Sequence, residues 1–138
     1  MKTYMTLVLY ILFTVTSLQA FTWDDYDQFA KYMGYERNYD KAIAVAKEKN
    51  KDLFIIEVSE GCPFCHRLVD TILTKDSVRE YINKKYIKLI INRDTDKNIP
   101  KHLLRPFSPV TFIIDAQSGQ IIDEVDGWME EDNYLWHI

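Results

Sequence analysis

Cysteine is scarce in this sequence. Cys62 and Cys65 are the only two among 138 residues, which excludes the framework of four or more cysteines that usually staples small exported domains. One close pair constrains almost none of the chain. Histidine is scarce too, with only His66, His102 and His137, none of them at paired ligand spacing. A structural zinc ion takes about four ligands, so no metal is expected. Basic charge is also short: 17 Lys and Arg face 21 Asp and Glu, for a formal net charge of −4, and nucleic acid is excluded as a partner. Repeats and low-complexity segments are absent. What remains, 47% hydrophobic and 28% charged residues, is the composition of one globular domain with a real core.

No charge appears between Lys2 and Asp24. A single lysine, an apolar stretch from Tyr4 to Leu18 and a small residue at Ala20 form the layout of a secretory signal peptide. An uncleaved anchor is the alternative, because the uncharged run approaches the roughly 20 residues of a spanning helix. The expected organisation is a signal peptide over residues 1–20 and one domain over 21–138. Cleavage removes one of the 17 basic residues and none of the 21 acidic ones, taking the net charge from −4 to −5. No cysteine stands near the cleavage point, so an N-terminal lipidated cysteine is excluded. The expected location is the periplasm or the exterior, with the protein soluble or singly anchored and its cysteines in an oxidising compartment.

Along the chain, Asn38 is placed to cap a helix through YDKAIAVAKEKN, with Tyr39, Ala42, Ile43 and Ala46 on one face. LFIIEV follows as a nearly continuous apolar run, the mark of a strand covered on both sides. After a short EG turn, Pro63 suits the first turn of a helix carrying Phe64, Leu68, Val69, Ile72 and Leu73 at helical spacing. Ser77 and Glu80 form a candidate capping box for a helix through VREYINKKY, and YIKLIIN reads as a second buried strand. This strand, helix, strand unit is a parallel crossover. A short helix over 99–105 precedes a third strand, VTFII, and the turn AQSGQ leads to its antiparallel partner, IIDEV. The order implies a small α/β sandwich around a mixed sheet of about four strands. The acidic clusters at 24–27 and 130–132 are expected to be solvated surface.

The cysteines therefore lie at a strand-to-helix junction, in EGCPFCHRL. In the first helical turn, residues three apart share one side, with Cα atoms roughly 5 to 6 Å apart, within disulfide range. Unpaired N–H groups at the helix start favour a thiolate at Cys62, which makes it the exposed attacking sulfur. Cys65, one turn in, is the shielded resolving thiol. His66 lies four residues after Cys62, where an imidazolium would favour the same thiolate. His66 also completes CPFCH, the attachment signature of a c-type haem, and a haem electron carrier is the alternative function. Against it, the signature follows a buried strand in an α/β pattern, whereas c-type cytochromes are normally helical. A merely structural disulfide is the third possibility.

KEKNKDLFII leading into a strand, CPFC opening a helix, and SPVTFIID followed by a hairpin and DGW together resemble the thioredoxin superfamily. The likeness is to exported bacterial thioredoxin-like proteins related to periplasmic thiol:disulfide reductases, and it spans most of the chain after residue 20. CPFC is similar to the CPYC of glutaredoxins and differs from the CGPC of thioredoxins. The resemblance implies a thioredoxin-like fold and a protein thiol-disulfide oxidoreductase without a cofactor. It further implies a monomer that acts on disulfide- or thiol-containing proteins, with a membrane thiol-reductant transporter as electron donor. A reductase is favoured, since the glutaredoxin-like dipeptide points to roughly −200 to −230 mV.

Within the site, the resemblance implies that Pro109 is a cis-proline facing the cysteines. Ser108 before it offers backbone hydrogen bonds to an extended substrate, and Phe64 and Trp128 frame the pair. Thioredoxins carry a buried acid six residues before the first cysteine; here that position is Ile56, and Glu57 comes next. Adjacent strand residues face opposite ways, so Glu57 is either a base for Cys65 reached by another route or a carboxylate satisfied elsewhere. The ending, WMEEDNYLWHI, is shorter than the family's usual final helix.

Overall fold

A computed structural model describes Trp23 and residues 25–138; the expected signal segment lies outside these. Among the described residues, five helices, one 3-10 turn and four strands follow one another in the order α1 (Tyr26–Met33), α2 (Tyr39–Lys49), β1 (Asp52–Val58), α3 (Pro63–Thr71), α4 (Asp76–Lys85), β2 (Tyr86–Asn92), the 3-10 turn (Lys101–Leu103), β3 (Val110–Ile114), β4 (Ile121–Asp126) and α5 (Glu131–His137). The strands form one sheet in the order β2-β1-β3-β4. β1 runs parallel to β2 and antiparallel to β3, and β3 pairs antiparallel with β4. This is the α/β architecture expected from the order of apolar runs.

Alternation along β1 divides the core in two. Phe54, Ile56 and Val58 face a cluster built from α1, α3, α4 and α5, including Phe29, Leu68, Val69, Ile82 and Tyr134. Leu53 and Ile55 face the other cluster, with Ala42 and Ala46 of α2, Leu103 and Phe112. Both faces are covered, which is why β1 reads as an apolar run rather than an alternating one. Ala42 and Ala46 are fully buried, and their small size lets that helix lie close to the sheet.

Local signals explain most boundaries. Asn38 caps α2, its side-chain oxygen accepting the Lys41 N–H at 2.9 Å. α1, which the hydrophobic reading passed over, is capped by Asp25 through the Gln28 N–H at 2.6 Å and ends at Gly34 in the left-handed region, φ 72°. Tyr35 and Glu36 then run along the outer margin of β2: Glu36 N–H donates to the Lys88 carbonyl at 2.8 Å, and Ile90 N–H to the Glu36 carbonyl at 3.0 Å.

Three expectations are corrected. The Ser77–Glu80 capping box does not form, because α4 already starts at Asp76 with Lys75 at its cap position and no side-chain cap bond. Ser77 instead donates to Glu131 of α5, which also pairs with Lys75 at 2.7 Å. Glu131, partly buried, is therefore a tertiary anchor rather than solvated surface, whereas Asp27 stays exposed as expected while pairing with Arg37 at 2.7 Å. The helix expected over 99–105 shrinks to Lys101–Leu103, since Pro106 disfavours helical backbone in the residue before it. The short C-terminal segment forms α5, fixed by the fully buried Tyr134, whose hydroxyl shares a 2.7 Å hydrogen bond with Thr111.

Candidate active site

The β1–α3 junction builds the site. Gly61 takes φ 59°, a left-handed turn that suits glycine, and delivers Cys62 to the N-cap position of α3 with extended backbone at φ −101°. Pro63 follows at the first helical position, where its missing N–H costs nothing. Cys62 and Cys65 are joined in a disulfide with Cα atoms 5.2 Å apart, and the Cys62 sulfur accepts the Cys65 N–H at 3.2 Å. A sulfur in this position caps the helix and is stabilised as an anion by the same N–H and by the helix dipole.

The two sulfurs are unequally covered. Both cysteines belong to the buried cluster with Leu68 and Val69; Cys65 has no exposure and Cys62 retains 9%. Cys62, expected to be exposed, is instead largely covered, because another segment lies across it. That segment is Phe107–Pro109. The Ser108–Pro109 peptide bond is cis, the Ser108 carbonyl oxygen stands 3.6 Å from the Cys62 sulfur, and the Ser108 hydroxyl stands 3.7 Å from it. The Pro109 carbonyl accepts the Gly127 N–H at 2.8 Å, tying this strand entry to the end of β4. Phe64, 58% exposed, projects beside the pair.

Trp128 lies against the outer side of α3 rather than over the disulfide. The Arg67 guanidinium sits 3.5 Å from its ring centroid, and its indole N–H donates to Thr71 at 3.4 Å. The His66 ring stacks on Tyr26, with centroids 5.4 Å apart and planes 20° from parallel, and the same imidazole attracts the Asp70 carboxylate. Burial pushes the Asp70 carboxyl up, opposed by a Trp23 backbone N–H and by His66. Burial, with Glu60 and Asp70 nearby, pushes the Tyr26 phenol up to about 12, so it remains a donor and reaches the Ser59 carbonyl at 3.4 Å.

Glu57 belongs to a different surface. In β1 it alternates with Ile56, so it faces the side of Leu53 and Ile55, opposite the cluster holding Cys65. It is fully buried, one carboxylate oxygen has no partner, and the other accepts only the Arg105 N–H, at 3.5 Å. Burial pushes its carboxyl up to about 7, opposed by that N–H and by the charges of Arg93 and Arg105, and reinforced by Glu124. A role as base for Cys65 is excluded by the intervening sheet.

Residues that sequence reasoning passed over complete the surroundings. Ser59, buried, shares a 2.5 Å hydrogen bond with the Ser108 hydroxyl, and nothing in its sequence position announces this contact. The Tyr26 ring stacks on His66. The Asp25 and Gln28 pair was the available signal for α1, and with it for Tyr26.

The haem alternative does not fit this geometry. Covalent attachment needs both sulfurs turned outward with His66 free to ligate, and here Cys65 is sealed in the core while the His66 ring is stacked on Tyr26.

A mixed four-stranded sheet presenting a Cys-x-x-Cys disulfide at a helix start defines a thiol-disulfide oxidoreductase. Residues 39–138 match the model of a thioredoxin-like domain, and the chain belongs to that family. No curated protein sequence matches it. Among solved structures it is similar to a thioredoxin from Thermus thermophilus (17% identity, TM-score 0.65, covering 72% of this chain and 80% of that one). It is also similar to DsbH oxidoreductase (15%, 0.59, 74% and 78%). A third likeness is to the oxidised C-terminal domain of Neisseria meningitidis DsbD (14%, 0.55, 84% and 95%). At these identities the likeness shows the fold.

Proposed function

We propose that this chain is an exported, periplasmic protein that reduces disulfides of other proteins. The observation that carries the reading is the asymmetry of the pair: Cys62, the N-cap of α3 and 9% exposed, stands beside a backbone carbonyl able to pair with a substrate strand, and Cys65 has no exposure. In the reduced protein the Cys62 thiolate attacks one sulfur of the substrate disulfide, forming a mixed disulfide and releasing the other sulfur as a thiolate. Cys65, deprotonated, then attacks the Cys62 sulfur. The intramolecular disulfide re-forms, the second substrate thiolate leaves and takes up a proton, and two electrons have passed to the substrate. A dithiol donor restores the enzyme; a membrane thiol-reductant transporter suits an exported monomer.

Purified protein with dithiothreitol is expected to accelerate insulin reduction, and equilibration with glutathione to give a potential of roughly −200 to −230 mV. A potential near −120 mV would replace the reducing role by an oxidising one, and unreduced insulin would remove the activity altogether. His66 is a modulator in this reading. Because its ring is stacked on Tyr26, His66→Ala should raise the pKa governing Cys62 alkylation by less than about one unit. An unmoved pH profile assigns His66 to packing alone.

A further inference from the structure

Three hydroxyl and sulfur groups lie in a row at the site. Ser59, at the end of β1, has its side chain enclosed and shares a 2.5 Å hydrogen bond with the Ser108 hydroxyl; the Ser108 hydroxyl in turn stands 3.7 Å from the Cys62 sulfur. Each serine hydroxyl owns a single proton. If Ser108 spends its proton on Ser59, none is left for the sulfur; if Ser59 donates to Ser108, the Ser108 proton is free to point at Cys62. A thiolate decides between these two, because a negative sulfur attracts the proton and the chain of donors then runs one way, from Ser59 through Ser108 to sulfur. The Ser59 backbone is itself held, its carbonyl accepting the Tyr26 hydroxyl at 3.4 Å.

We propose that Ser59 is a positioning residue that turns the Ser108 hydroxyl proton onto the Cys62 thiolate, so that the attacking sulfur is stabilised by a side chain it does not touch. This rests on Cys62 being the attacking thiol. It adds a charge-assisted bond from a side chain to the help that the α3 N-terminus already gives, and it favours the reduced state in which the thiolate exists. In the oxidised protein the sulfur carries no charge and the same row contributes little.

The test titrates Cys62 alone, in a Cys65→Ser background, by thiolate absorbance at 240 nm and by the pH dependence of iodoacetamide alkylation. Neither readout depends on a substrate or on the direction of exchange, so a failed insulin assay and a failed titration are separable. Ser59→Ala should raise the Cys62 pKa by about half to one unit, and alkylation at a pH below both values should slow by about three- to tenfold. Ser59→Thr, which keeps the hydroxyl, should restore the parent value. Ser108→Ala should raise the pKa at least as far, and adding Ser59→Ala to it should raise it no further, because the effect of Ser59 passes through Ser108. Tyr26, Glu60, His66, Asp70 and Asp94, the titratable groups around the junction, are the same in every variant, so the shift reads the hydroxyl pair. A parent-like pKa in Ser59→Ala, or equal rises from Ser59→Ala with and without Ser108, overturns the proposal. Should Ser59→Ala fail to fold, Ser59→Thr and Ser108→Ala decide it: no rise in Ser108→Ala is equally fatal.

Discussion

A Cys65→Ser variant, reduced and mixed with a disulfide-bonded protein, is expected to accumulate a stable mixed disulfide through Cys62, while Cys62→Ser forms none and loses exchange to the uncatalysed background. The reason lies in the two environments. Cys62 caps α3 and accepts an N–H, whereas Cys65 is sealed in the apolar cluster with no exposure; an apolar setting raises a thiol's pKa and a helix start lowers it. In the reduced wild type, iodoacetamide at pH 7 should therefore modify Cys62 at least about tenfold faster than Cys65. Mass spectrometry of early time points reads the ratio. Equal rates, or a mixed disulfide that forms equally in both serine variants, would reverse the assignment of attacking and resolving roles.

Glu57→Gln should stabilise the protein in a way that depends on pH. The wild-type carboxyl is fully buried with one oxygen unpaired, and burial holds its pKa up at about 7 against an ordinary 4.5. Its folded pKa is thus raised. Below the unfolded value both states are protonated and the group contributes nothing to the pH dependence. As pH climbs from about 4.5 toward 7 the unfolded chain loses the proton while the folded one keeps it, so stability falls, and the loss saturates above the folded pKa. The gap corresponds to about 3 kcal/mol. Urea unfolding of the oxidised protein should find Glu57→Gln close to wild type at pH 4 and about 2–3 kcal/mol more stable at pH 8. A variant equally displaced at both pH values would show that Glu57 does not titrate in this range. Because the sheet separates Glu57 from Cys65, the pH profile of Cys62 alkylation should be unchanged in the same variant.

How much could be read beforehand follows from which physics was local. The strands were legible because LFIIEV and VTFII are buried on both faces and carry hardly any polar residue, and the α2 start was legible because Asn38 offers a cap within its own turn. The cysteine pair was legible because its spacing and Pro63 are features of one helical turn. Ser59 was not, since its partner Ser108 is 49 residues away and a serine before a turn resembles any other. Glu57 was half legible: alternation placed it opposite Ile56, but the carboxylate's lack of a side-chain partner depends on how Arg105 spends its guanidinium on Glu124. Ser77 misled because a capping pattern describes only the local chain, and Glu131 reached it from α5.

The strip formed by Tyr35 and Glu36 bears on self-association. An uncovered edge strand offers its free N–H and C=O groups to any passing chain. Here the middle of the β2 margin is already taken by the protein's own backbone, through the Glu36 bonds to Lys88 and Ile90, so a second molecule finds the ladder interrupted on that side. The opposite margin, β4, carries Asp123 and Asp126, with Glu124 between them paired to Arg105. Two copies meeting edge to edge there would bring like charges together, and the sheet is guarded sterically at one end and electrostatically at the other.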